Sequence, residues 1–91
     1  MRLKLNEPVH IEDLRRHSPQ EVRRLRNVLV RGANARQDSN RDNFYEVEDG
    51  ARIFYIHISP RGNVLLLAVW LNDGLPFSAS AGVPLTHSAA V

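Results

Sequence analysis

The sequence has no cysteine, so neither a disulfide framework nor a thiolate metal site can hold it together, and nothing points to an oxidising compartment. Lysine is nearly missing too, with Lys4 alone against eleven arginines. No run approaches the roughly 18–20 apolar residues that span a bilayer. The opening stretch MRLKLNEPVHIEDL lacks the apolar segment and small residues of an export signal. These absences lead us to expect a soluble cytoplasmic protein without a membrane partner. There is also no glycine-rich nucleotide fingerprint, P-loop or nucleophile elbow, and His10, His17, His57 and His87 do not pair at a metal-ligand spacing. Neither a metal nor another cofactor is expected.

What remains is the length of one small domain, near the lower limit for burying an adequate core without a crosslink. Its apolar content is concentrated in residues 44–71, FYEVEDGARIFYIHISPRGNVLLLAVWL, which include both tyrosines and the only tryptophan. This stretch predicts three antiparallel strands with turns at Asp49-Gly50 and at residues 59–63. An Asp-Gly turn of type I′ pairs Val47 with Arg52, Glu46 with Ile53 and Tyr45 with Phe54. Tyr45, Val47, Phe54, Ile56 and Ile58 then share a core face, and Phe44, Glu46, Glu48, Ile53, Tyr55 and His57 share the other. Residues 64–71 are apolar throughout, as expected of a central strand covered on both sides.

Residues 2–6 alternate as a short edge strand does, and Pro8 breaks it. Ile11 and Leu14, three residues apart, suggest two helical turns within residues 9–17. Ser18-Pro19-Gln20-Glu21 marks a helix start, with an N-cap, Pro at the first helical position and the acidic residue of a capping box. Val22, Leu25, Val28 and Leu29 form its apolar stripe, Arg23, Arg24, Arg26 and Arg31 its opposite side, and Gly32 its end. Residues 33–43, ANARQDSNRDN, read as an exposed connection. Residues 74–91 show no periodicity and are expected to be a disordered tail. The sum is a single α+β domain over residues 1–73: a short N-terminal strand, one or two helices, then a three-stranded antiparallel meander, with the helices on one face of the sheet.

Net charge is only +2 at pH 7, yet six of the arginines fall within residues 15–31. Guanidinium groups pair bidentately with oxyanions, which makes Arg23, Arg24, Arg26 and Arg31, with Arg36, Arg41 and Arg61 in the connections, candidate nucleic-acid contacts. The plainer alternative is a solvated helix face and polar loops. Arg52, Tyr55 and His57 are candidates for catalysis, because phosphodiester cleavage by an RNA's own 2′-hydroxyl needs charge stabilisation and proton transfer. Strict hairpin register sets Arg52 on the face opposite Tyr55 and His57, so they converge only through a bulge or by Arg52 reaching round the strand end. Glu46, Glu48 and His57 fit a polar sheet face better than a metal site.

The element order, together with GARIFYIHISPRGNVLLLAVW, resembles the RelE/ParE toxin superfamily and its HigB-like branch. In that family a tight turn leads to an Arg-hydrophobic-X-Tyr strand, matched here by Gly50, Arg52, Ile53 and Tyr55, and then to a leucine-rich strand. The resemblance covers about residues 2–71. It implies the toxin half of a bacterial toxin-antitoxin pair, an antitoxin protein as partner, and RNA in the ribosome as target of a metal-independent endoribonuclease. Under it Arg52 contacts phosphate, with Tyr55 and His57 beside it. Glu46 and Glu48 stand where such nucleases often carry basic residues, and no basic pair follows Trp70, which opens the reading of a non-catalytic relative. The alternative, from a different class of function, is a small non-enzymatic interaction domain docking a protein through its sheet, which residues 64–71 favour if an edge or face of that apolar strand stays open.

Overall fold

The computed structural model describes residues 1–71, and the expected tail at 74–91 lies outside them. They form a small α+β domain with one helix and a six-stranded mixed sheet. The elements in chain order are β1 (Arg2–Leu3), β2 (Ile11–Asp13), α1 (Pro19–Arg31), β3 (Ala33–Gln37), β4 (Phe44–Asp49), β5 (Arg52–Ile58) and β6 (Val64–Leu71). The strand order is β1-β3-β4-β5-β6-β2, antiparallel throughout except where β2 runs parallel to β6.

The helix begins as its sequence dictates. The Ser18 hydroxyl accepts from the Glu21 main-chain N–H, and Pro19 occupies the first turn, where its missing N–H costs nothing. Gly32 closes it with φ +101, and a side chain there would collide with the Arg2 guanidinium 2.9 Å away. The Arg2 group also donates to the Arg31 carbonyl, tying β1 to the helix end. Leu25, Val28 and Leu29 are buried against Val47, Phe54, Ile56, Val64 and Leu66.

Three expectations are corrected. Residues 9–17 form no helical turns: Ile11–Asp13 is a strand, since Ile11 and Asp13 pair with Val64 and Leu66 along β6, a long apolar edge that rewards extended backbone more than two isolated turns would. Residues 33–43 are not simply a connection, because Ala33 and Ala35 are buried and alternate with Asn34 and Arg36 as β3 against β4. Small side chains hid that alternation. The hairpin loop is Gly50-Ala51 instead of Asp49-Gly50, with Asp49 opposite Arg52 and Val47 opposite Phe54. Only Gly50 has positive φ in this loop, so the double positive φ of a type I′ turn is not used. The pairing moves by two places, an even shift that leaves each residue on its expected face.

Between Tyr55 and Ile56 the β5–β6 register slips: Tyr55 pairs with Ala68 but Ile56 with Leu66, so Leu67 is an extra residue on β6. β5 itself alternates without interruption. β2 pairs with β6 only at residues 64–66, and Leu71 at the far end of β6 is 77% exposed.

With no crosslink, the helix–sheet contact carries the stability. Phe54→Ala, at a fully buried site, is expected to cost about 3–5 kcal/mol, a large part of the roughly 5–15 kcal/mol typical of a domain. Urea denaturation of the variant should show a midpoint sharply lowered or no cooperative transition.

Candidate functional site

The helix packs on one side of the sheet. The opposite side carries the alternate residues of each strand: Arg36 on β3, Phe44 and Glu46 on β4, Tyr55 and His57 on β5, and Trp70 on β6. Trp70 owes its place to the extra residue Leu67. Val64 and Leu66 face the core, and unbroken alternation would turn Trp70 the same way. The bulge shifts the phase, so Val69 pairs with Phe54 on the core side and Trp70 pairs with Ile53 on the other.

The rings touch one another. Phe44 stacks on Tyr55 with centroids 5.8 Å apart, lies 4.8 Å from the His57 ring, and Tyr55 meets Trp70 edge-on at 5.9 Å. The Arg41 guanidinium sits 5.1 Å from the Phe44 centroid, a cation–π distance. All four rings are half-buried, so each keeps part of its surface open.

Charged groups border the rings in pairs. Arg36 Nε donates to Glu46 Oε1 at 3.0 Å, and Asn34 Nδ2 to Glu48 Oε1 at 3.3 Å. The Tyr55 hydroxyl donates to Asp38 Oδ2 at 2.6 Å, fastening the β3–β4 connection over the sheet. Glu46 is only 7% exposed, and burial pushes its carboxyl above the usual range although the Arg36 bond and charge pull it back. Tyr55 is pushed up to about 12, first by burial and then by its bond to Asp38 and that carboxylate's charge. Asp38 is held below its usual value, chiefly by the Tyr55 hydroxyl, then by the Asn40 N–H. Such a phenol is a firmly held donor and a poor base near neutral pH.

The three candidate catalytic residues are not brought together. Arg52 lies on the helix side, where its Nε donates to Glu21 Oε2 at 2.7 Å, while Tyr55 and His57 lie on the other side. The sheet does contain a bulge, but on β6, so it leaves the β5 alternation untouched. The seven candidate nucleic-acid contacts are also divided. Arg23, Arg24 and Arg31 are exposed on α1, and Arg26 is half-buried with its Nε donating to the Val9 carbonyl. Arg36 and Arg41 belong to the ring-bearing side, and Arg61 is exposed in the β5–β6 turn.

Sequence reading missed Asp38, whose role needs the loop to fold back, and Trp70, whose side depends on the bulge. It missed as well the Asp13–His17 pair, Oδ1 to Nδ1 at 2.8 Å, although the four-residue spacing was visible. Among the described residues no group of three or more His, Asp or Glu could hold a metal, and no helix is long and apolar enough to cross a membrane.

Comparison with family models, curated proteins and solved structures gave no match to this chain. The resemblance to the RelE/ParE superfamily therefore rests on the residues that carry it.

Because the folded Tyr55 pKa is raised, its contribution to stability is fully present below the ordinary tyrosine value near 10 and is lost as pH rises through about 12. Tyrosinate absorbance should show one phenol titrating at about 12, moved down by Asp38→Asn, and thermal stability should fall across the same window.

Proposed function

We propose that this chain is a non-enzymatic docking domain that binds a protein partner through the ring-bearing side of its sheet. The observation that carries the proposal is the contiguous group Phe44, Tyr55, His57 and Trp70, half-open and on the side away from the only helix among the described residues. Aromatic side chains supply large contact area at small entropic cost and dominate the energetics of interfaces, within a rim of satisfied polar groups. Here the rim is Arg36–Glu46, Asn34–Glu48 and Asp38. Three carboxylates beside the rings favour a protein over a nucleic acid, since a phosphate backbone would be repelled.

A photo-reactive amino acid placed at Leu65, which pairs with His57 on the ring-bearing side, should give a discrete protein adduct in the source cells, and one placed at exposed Asn27 on α1 should not. Trp70→Ala, removing an interface anchor worth roughly 2 kcal/mol or more, should abolish the adduct while leaving the far-ultraviolet spectrum unchanged. Adducts from Asn27 only, or adducts indifferent to Trp70→Ala, would contradict the proposal.

A toxin-like RNA-cleaving protein with an antitoxin partner is the second reading, supported by the order Arg52, Tyr55, His57 on β5 and by exposed arginines on α1. It requires Arg52 to leave Glu21 and RNA to approach past Glu46 and Glu48. If it holds, induced expression arrests growth with cleavage of mRNA, and Arg52→Ala abolishes both. Unimpaired growth with intact RNA removes it.

A further inference from the structure

On the helix side of the sheet, between the end of β2 and the first turns of α1, lies an open groove of about 460 Å³. Arg16, His17, Arg23 and Arg26 line it with Asp13, over a floor of Pro19 and Val22. The arginines here differ from several others in the chain. Arg24, Arg36 and Arg52 each face a carboxylate, whereas Arg16, Arg23 and Arg26 have none among the described residues. The one side-chain hydrogen bond of Arg26 goes from Nε to the Val9 carbonyl, which leaves its terminal amino groups uncommitted among the described residues.

The single carboxylate of the groove is also committed. Asp13 Oδ1 is 2.8 Å from His17 Nδ1, and its second oxygen is buried without a partner. Burial pushes the Asp13 carboxyl up, but hydrogen bonds from the His17 main chain and ring, with the ring's charge, together hold it below the usual range. An ionised Asp13 fixes the proton on Nδ1 and leaves Nε2 as the free nitrogen of His17. Arg16 holds this turn in a left-handed conformation, φ +53, that non-glycine residues seldom adopt.

We propose that this groove binds a small phosphate monoester. Arg16, Arg23 and Arg26 take the phosphate oxygens, His17 adds a donor from Nε2 when protonated, and Asp13 acts as a positioning residue. Three guanidinium groups without carboxylates call for a ligand with several charged oxygens, which a tetrahedral dianion has and a carboxylate lacks. The apolar floor of Pro19 and Val22 is suited to the organic part of the ligand, so a monoester fits better than inorganic phosphate. The volume is within the range of small-molecule sites. This site is on the opposite side of the sheet from the proposed docking surface, and either can hold without the other.

The test is calorimetric titration of the full chain with phenyl phosphate, and separately with inorganic phosphate, at fixed moderate salt, alongside chemical-shift mapping. The expected result is saturable binding of phenyl phosphate, tighter than inorganic phosphate, with shifts at His17 and the three arginines. Arg16→Ala and Arg23→Ala, both at exposed positions, should each weaken it about tenfold, the loss of one charged hydrogen bond. Arg61→Ala and Arg31→Ala should leave it unchanged. Asp13→Asn should weaken binding less and should shrink the displacement of the His17 ring-nitrogen resonances caused by adding phenyl phosphate, which a purely structural role would leave unchanged. Absence of binding at millimolar ligand overturns the proposal, as does an equal loss on Arg61→Ala. Equal affinity for inorganic phosphate overturns the monoester assignment.

Discussion

The structure depends on one contact, the apolar stripe of α1 against one side of the sheet. Leu25 and Leu29 are completely buried there, with Phe54, Ile56 and Leu66 across from them. With no disulfide available, this burial is what offsets the conformational entropy of ordering the chain. It also sets everything else, because the one helix among the described residues covers only one side. The sheet's other side must then carry residues that tolerate water, and what it carries is a group of rings bordered by paired charges.

Arg52 shows how this division governs chemistry. Its place in β5 puts it among core-facing positions, and a guanidinium there needs a counter-charge. Glu21 of the helix's first turn supplies it at 2.7 Å, while its main-chain N–H still caps the helix through Ser18. The Glu21 carboxylate that a capping box would turn back towards Ser18 instead links helix to sheet. Tyr55 and His57, three and five residues further on, point the other way and make a surface of contact area. Arg24 and Arg36, like Arg52, face carboxylates, whereas Arg16, Arg23 and Arg26 line the groove beside Asp13 and His17 with no carboxylate of their own among the described residues.

Much of this could be read from residues. Ser18-Pro19 and Gly32 fixed the helix ends because caps act locally, and the alternation in β4 and β5 gave the right faces even with the loop misplaced, since an even shift preserves them. The two short strands were illegible for different reasons. β2 is three residues long and is a strand only because β6 lies beside it, and β3 buries two alanines whose small side chains give no hydrophobic signal. The bulge at Leu67 left no trace in an unbroken run of apolar residues, yet it decides that Trp70 joins Tyr55 instead of the core. Asp38 and Tyr55 meet through tertiary folding of a polar loop, which no local spacing foretells.

The central claim is that, among the described residues, this sheet has one side closed by the helix and one open side bearing the aromatic group. Hydroxyl-radical footprinting of the full chain, read residue by residue in mass spectra, tests it most directly. The account predicts rapid oxidation of Phe44, Tyr55 and Trp70 and strong protection of Phe54, Leu25 and Leu29. Protection of Trp70 and Tyr55 equal to that of Phe54 would mean the ring-bearing side is covered in the free protein, and would contradict the account.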